Sequence, residues 1–147
     1  EMMFCANLGQ PLKPLARVAS GGELSRIMLA LKNVLAEQDS VMTMVFDEVD
    51  TGVSGRAAQR VAEKLAKLSR TRQVLCVTHL PQIAAMADAH YLIEKAVSNG
   101  ATVSKIRRLD TAETVDGLSR MLGGVEITDK VRESAREMKE LATKKKK

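Results

Sequence analysis

The 147-residue sequence is nearly without aromatics: Phe4, Phe46 and Tyr91 are the whole set, and Trp is absent. A platform of stacking rings for single-stranded nucleic acid is therefore excluded. Cysteine is scarce as well. Cys5 and Cys76 stand alone in apolar stretches, which makes neither a zinc site nor a disulfide framework. They read as small hydrophobes in a reducing compartment, with a redox role as the alternative. No apolar run approaches the roughly 20 residues of a membrane-spanning helix. The start, EMMFCANLGQ, lacks the basic and apolar regions of a signal peptide. Excess charge is almost missing. Lys and Arg total 23 against 18 Asp and Glu, a formal charge of +5, but Lys144 to Lys147 supply four of those positives and leave 19 against 18. A domain-wide basic surface is excluded, while a local basic patch is not.

What remains is 45% hydrophobic and 28% charged, the composition of a folded globular protein. The length suits one domain. The chain opens with Glu1 and not Met, which raises the expectation of a fragment.

Pro11 and Pro14 forbid a regular helix near the start. Leu24, Ile27, Met28, Leu31, Val34 and Leu35 recur at helical spacing and predict a helix over 23–36. VMTMVF at 41–46 is an unbroken apolar run, which predicts a strand buried on both faces. Ala58, Val61, Leu65 and Leu68 mark a helix over 55–69. QVLCV at 73–77 is a second buried strand, and Pro81 opens a short helix. Residues 90–97 and 102–109 read as a hairpin about Ser98-Asn99-Gly100. Helices at 113–122 and 128–142 follow, separated by Gly123 and Gly124, and a frayed basic tail closes the chain. The order helix, strand, helix, strand, helix implies an α/β fold with parallel strands. Chemistry in such sheets gathers at the carboxyl ends of the strands, where Asp47 and His79 lie.

Ser20 and Glu23 have the spacing of a helix capping box. Gly21 and Gly22 between them add a second reading, because bare N–H groups at a helix start attract phosphate. The strand ending in Asp47-Glu48 offers a first carboxylate for Mg²⁺ and a second to orient an attacking water. A simple acidic turn is the alternative. A calcium loop fails, since counting Gly52 as its sixth position puts Val49 and Thr51 where carboxylates belong. His79 is either a structural histidine or a group that meets a terminal phosphate and the attacking water.

Taken in order, these residues resemble the second half of an ATP-binding-cassette ATPase head. SGGE at 20–23 resembles the family's signature motif, VFDE at 45–48 its Walker B motif, and His79 its switch histidine. The strings SGGELSRIMLALK, FDEVDTGVSGR, THLPQIAAMAD and RMLGG resemble more narrowly the carboxyl-terminal part of the RecN family, SMC-like ATPases of bacterial double-strand-break repair. The resemblance implies that residues 1–142 form the carboxyl-terminal lobe of such a head, a mostly parallel sheet flanked by helices plus a β-hairpin, with 143–147 a basic tail. It implies ATP and Mg²⁺ as ligands, a cytoplasmic, nucleoid-associated protein, and DNA as a partner. It also implies a homodimer of heads and an amino-terminal lobe that carries the phosphate loop. In roles carried over from the family, Ser20, Gly21, Gly22 and Glu23 bind nucleotide across the dimer, Asp47 holds Mg²⁺, Glu48 orients water and His79 senses the γ-phosphate. Arg26 matches a basic position after the signature, with an ion pair to Glu23 as its alternative role. Asp50 and Ser54 fall in the interface loop, where Asp50 either hydrogen-bonds the loop or assists at the interface and Ser54 replaces a frequent Asp. Glu23 replaces the Gln of many cassette proteins.

The phosphate loop itself is missing, since the dipeptide Gly-Lys never occurs. Sustained heptads are missing too. The chain by itself is accordingly expected to turn over no ATP. Two other readings remain at this level: a nucleotide-binding subunit of a transporter, and a non-catalytic assembly module.

Overall fold

The computed structural model describes every residue except 1, 6–8, 10, 16–19, 36–37, 39, 99, 125 and 147. The described elements are β1 (Met3–Phe4), β2 (Lys13–Pro14), α1 (Gly21–Val34), β3 (Thr43–Phe46), α2 (Gly55–Leu68), β4 (Gln73–Cys76), α3 (Pro81–Ala85), β5 (Tyr91–Ser98), β6 (Ala101–Arg108), α4 (Thr111–Gly123) and α5 (Asp129–Lys146). The chain divides into two compact units, residues 1–80 and 81–147. Sequence reading placed one lobe across 1–142.

In the first unit, β3 and β4 pair in parallel, with Phe46 opposite Cys76. Parallel neighbours need a crossover, and α2 supplies it. Its Ala58, Val61, Ala62, Leu65 and Leu68 are buried, as are Met44 and Phe46 of β3 and Leu29 of α1. Burial of Leu68 alone is worth about 2 kcal/mol. The expected burial of β3 on both faces does not hold. Met44 and Phe46 are buried, but Val45 is 68% exposed. Leu75 and Val77 on the neighbouring segment are exposed too. An apolar depression opens against this strand, lined by Leu24, Met28 and Lys32 of α1 and by Val45. Parallel strands in the described residues amount to this one pair, because β1 and β2 pair antiparallel.

In the second unit, β5 and β6 form an antiparallel hairpin whose register runs from Tyr91–Arg108 to Ser98–Ala101. Gly100 takes φ +76°, a conformation natural to glycine at a hairpin turn. Asn99 of the expected turn lies outside the described residues. Helix α4 starts at a capping box of Asp110 and Glu113, and α5 packs along α4. Leu118 and Ala135 are fully buried, along with Ile83, Ala84 and Ala85 of α3.

The expected frayed tail is corrected here. Helix α5 runs on to Lys146. The Lys146 ammonium donates to the Met86 carbonyl at 2.8 Å and to the Asp88 carboxylate. Lys139 donates to the carbonyls of Ala85 and Ala87 at 2.9 and 2.7 Å. Two lysines of α5 therefore satisfy carbonyls at and just beyond the end of α3, which a five-residue helix cannot satisfy itself.

Candidate functional site

Helix α1 begins at Ser20, which is extended at φ −69° and ψ 164°. Ser20 N donates to Glu23 Oε2 at 2.8 Å and its hydroxyl donates to the same oxygen at 3.0 Å. Glu23 N donates back to Ser20 Oγ at 3.4 Å. The capping box of the sequence reading is thus formed. The bond from the Ser20 backbone, then that from its hydroxyl, holds the Glu23 carboxyl below the usual range.

The two glycines serve close approach. A Cβ on Gly22 would lie 2.9 Å from the Thr51 carbonyl oxygen and 3.0 Å from that of Glu48. A Cβ on Gly21 would lie 2.6 Å from Glu48 Oε2. A side chain at Gly22 would push the helix start off the loop that follows β3, whereas one at Gly21 would displace the Glu48 carboxylate. Side chains of α1 fasten the same loop. Ser25 Oγ donates to the Asp47 carbonyl at 2.9 Å. Arg26 Nη1 donates to the carbonyls of Thr51 at 2.7 Å and Val49 at 3.3 Å. Arg26 is thereby a clamp on the loop, a role that neither of its expected readings named. Ser25 was not singled out in the sequence at all.

The loop is wound tightly. Asp47 Oδ1 accepts from Glu48 N at 2.9 Å. Glu48 O accepts from Thr51 N at 3.1 Å. Glu48 itself sits at φ +57°, among the described residues the only non-glycine with positive φ. That backbone state costs a residue with a Cβ on the order of 1 kcal/mol, and such strain concentrates at functional positions. Asp47 and Glu48 are both exposed, and Val49 beneath them is fully buried. Ser54 is the N-cap of α2 but makes no side-chain capping bond.

Asp50 is the buried charge of the site, at 3% exposure. Its Oδ2 accepts from Thr78 Oγ1 at 2.6 Å and His79 N at 3.0 Å, and lies 3.1 Å from His79 Nδ1. Burial raises the Asp50 carboxyl, but the Thr78 hydroxyl and the His79 backbone and ring outweigh it, so the net shift is downward. Asp50 was placed in the interface loop by its motif, and Thr78 was passed over. In the structure the two bring the ends of β3 and β4 together, with His79 carried on them. Beside them, burial first, then the charges of Asp50 and Asp47, push the Cys76 thiol up to about 12. It is a protonated, unreactive thiol at neutral pH.

The arrangement thus gathers one helix start, two exposed carboxylates and one exposed imidazole around a single loop. Among the described residues no group of three or more His, Cys, Asp or Glu is arranged to hold a metal. A lone exposed carboxylate such as Asp47 suits Mg²⁺, which keeps most of its waters and takes its other ligands from substrate phosphates.

No family model matches the chain. Curated relatives match it closely. It is 51% identical over 143 residues to the DNA repair protein RecN of Halalkalibacterium halodurans, covering 97% of this chain and 25% of that protein. It is 51% identical over 138 residues to RecN of Bacillus subtilis, covering 94% and 24%. The figures for RecN of Mycobacterium leprae are 51% over 144 residues, 98% and 24%. A solved structure from work on ATP-driven dimerization and DNA-stimulated activation of SMC ATPases shares the fold, with a TM-score of 0.53 at 23% identity, over 80% of this chain and 70% of that one. Over nearly its whole length the chain is RecN-like, and it spans about a quarter of the RecN relatives it matches.

Proposed function

We propose that this chain is the carboxyl-terminal lobe of an ATP-hydrolysing head in a RecN-type DNA-repair protein, and that it acts when ATP drives two heads together. The observation that carries this reading is the packing of the Ser20-Gly21-Gly22 helix start against the Asp47–Thr51 loop, with His79 tied to the same loop through Asp50. The half-similarity to RecN sequences and the SMC ATPase fold support it.

In this reading Ser20 and the N–H groups of Gly21 and Gly22 receive the γ-phosphate of a nucleotide held by the opposite head. Asp47 would hold Mg²⁺, and the ion would supply neutralising charge to the phosphates. Glu48 accepts a proton from the attacking water and orients it. His79 Nε2 faces the terminal phosphate. Glu23 stays folded back as a cap, and Arg26 holds the loop in register with the helix. The chain contributes no phosphate loop, so an amino-terminal lobe must supply one. The exposed apolar face of the β3–β4 pair, with Val45 and Leu75 and the adjoining Val77, supports a lobe-to-lobe contact there. DNA is the partner whose engagement the closing heads gate, and the bacterial cytoplasm, at the nucleoid, is the place of action.

The test is complementation. The chain alone is expected to turn over no ATP, and mixing it with the phosphate-loop lobe is expected to restore turnover. Binding without turnover would favour an assembly module.

A further inference from the structure

The proposed function gives one buried charge of the site no part in the chemistry. Asp50 is the least exposed ionisable group of the loop, and burying a carboxylate is costly unless donors compensate it. Three groups on two consecutive residues, the Thr78 hydroxyl and the His79 backbone and ring, face Asp50 Oδ2. The Thr78 hydroxyl is itself fixed, since it donates to Asp50 at 2.6 Å and accepts from Leu80 N at 3.0 Å. The His79 side chain is 73% exposed while the Asp50 side chain is 4% exposed. One edge of the imidazole is therefore pinned and the other faces solvent.

We infer that Asp50 is a positioning residue for His79, setting which imidazole nitrogen carries the proton and where the other one points. An ionised carboxylate can only accept, so the nitrogen beside Asp50 Oδ2, Nδ1, must be the one that bears hydrogen. Nε2 is then left as the working atom. Neutral, it accepts a hydrogen bond from water; protonated, it donates to a phosphate oxygen, and Asp50 balances the charge. The His79 N–H bond to the same oxygen holds the backbone as well, so ring and main chain cannot swing apart. This rests on the reading of His79 as the phosphate-facing group.

The experiment has two arms. In the 147-residue chain above pH 7.5, long-range proton–nitrogen spectra of His79 are expected to show Nδ1–H. Asp50→Ala is expected to release the ring to the Nε2–H form. Asp50→Asn keeps an acceptor oxygen and is expected to retain Nδ1–H, which separates loss of the acceptor from loss of the fold. A wild-type ring protonated on Nε2, or an Asp50→Ala ring unchanged from wild type, overturns the inference. In the chain assembled with the phosphate-loop lobe, Asp50→Ala is expected to lower kcat about 10- to 100-fold with little change in KM. It is expected to cost nothing further in a His79→Ala background, and additive losses would overturn the inference. Failure of the parent reading has its own signature. His79→Ala would then turn over ATP like wild type, while the Nδ1–H pattern and its loss in Asp50→Ala would still identify Asp50 as what orients the ring.

Discussion

Gly22 and Thr51 meet so closely that a Cβ on the glycine would lie 2.9 Å from the threonine carbonyl oxygen. The two oxygens in the way are backbone carbonyls, and that of Thr51 is held by the Arg26 guanidinium, so neither steps aside cheaply. Gly22→Ala is therefore expected to destabilise the first unit by about 1–3 kcal/mol, although alanine is the better helix former. Gly21→Ala meets only the tip of the Glu48 side chain, which can rotate away. It is expected to leave stability nearly unchanged and to displace Glu48. Urea melts of the two variants check the contrast, and equal losses would contradict it.

Arg26 holds two loop carbonyls with one guanidinium nitrogen. Arg26→Met keeps much of the apolar stem and removes the donors, at an expected cost of about 1–3 kcal/mol. Arg26→Lys is expected to recover only part of this, because a point ammonium lacks the planar fork. The same melts report it.

Glu48 sets stability against function. Its φ of +57° suits glycine, so Glu48→Gly is expected to raise stability by about 1 kcal/mol. In the assembled ATPase, Glu48→Gln is expected to keep ATP binding and lower turnover on the order of 10²-fold or more. Steady-state hydrolysis at the wild-type rate would remove Glu48 from the water-orienting role.

His90 links the second unit to pH. Burial, then the nearby Lys139 charge, holds its imidazole below the ordinary value of 6.5. Its Nδ1 is buried with no hydrogen-bond partner among the described residues. Well above pH 6.5 both folded and unfolded forms are neutral and His90 adds no pH dependence to stability. As pH falls below 6.5 the unfolded chain takes up the proton first, so stability drops until the lowered folded value is passed. His90→Gln is expected to flatten the difference between melts at pH 7.5 and pH 5.5.

Much of this was legible in the residues. The capping box, the strand ending just before Asp47 and the helix opening at Pro81 follow from local rules that tertiary contacts do not override. The burial of β3 was misread for a physical reason. An unbroken apolar run records the environment its sequence suits, and here Val45 stays largely exposed among the described residues. The Lys139 and Lys146 contacts join residues more than 50 positions apart, so helical periodicity could not announce them. The contacts of Arg26 and Thr78 were hidden in another way. Their partners are backbone carbonyls and a single buried carboxylate, and neither leaves a pattern in sequence.

The proposed role of this chain is that of one half of an ATPase head. The most direct measurement is ATP turnover by the 147-residue chain mixed with an amino-terminal lobe carrying the phosphate loop. The account predicts no turnover by either part alone, turnover on mixing, and its loss with Glu48→Gln. Robust hydrolysis by the 147-residue chain alone, or a bound pair that stays inert, would contradict it.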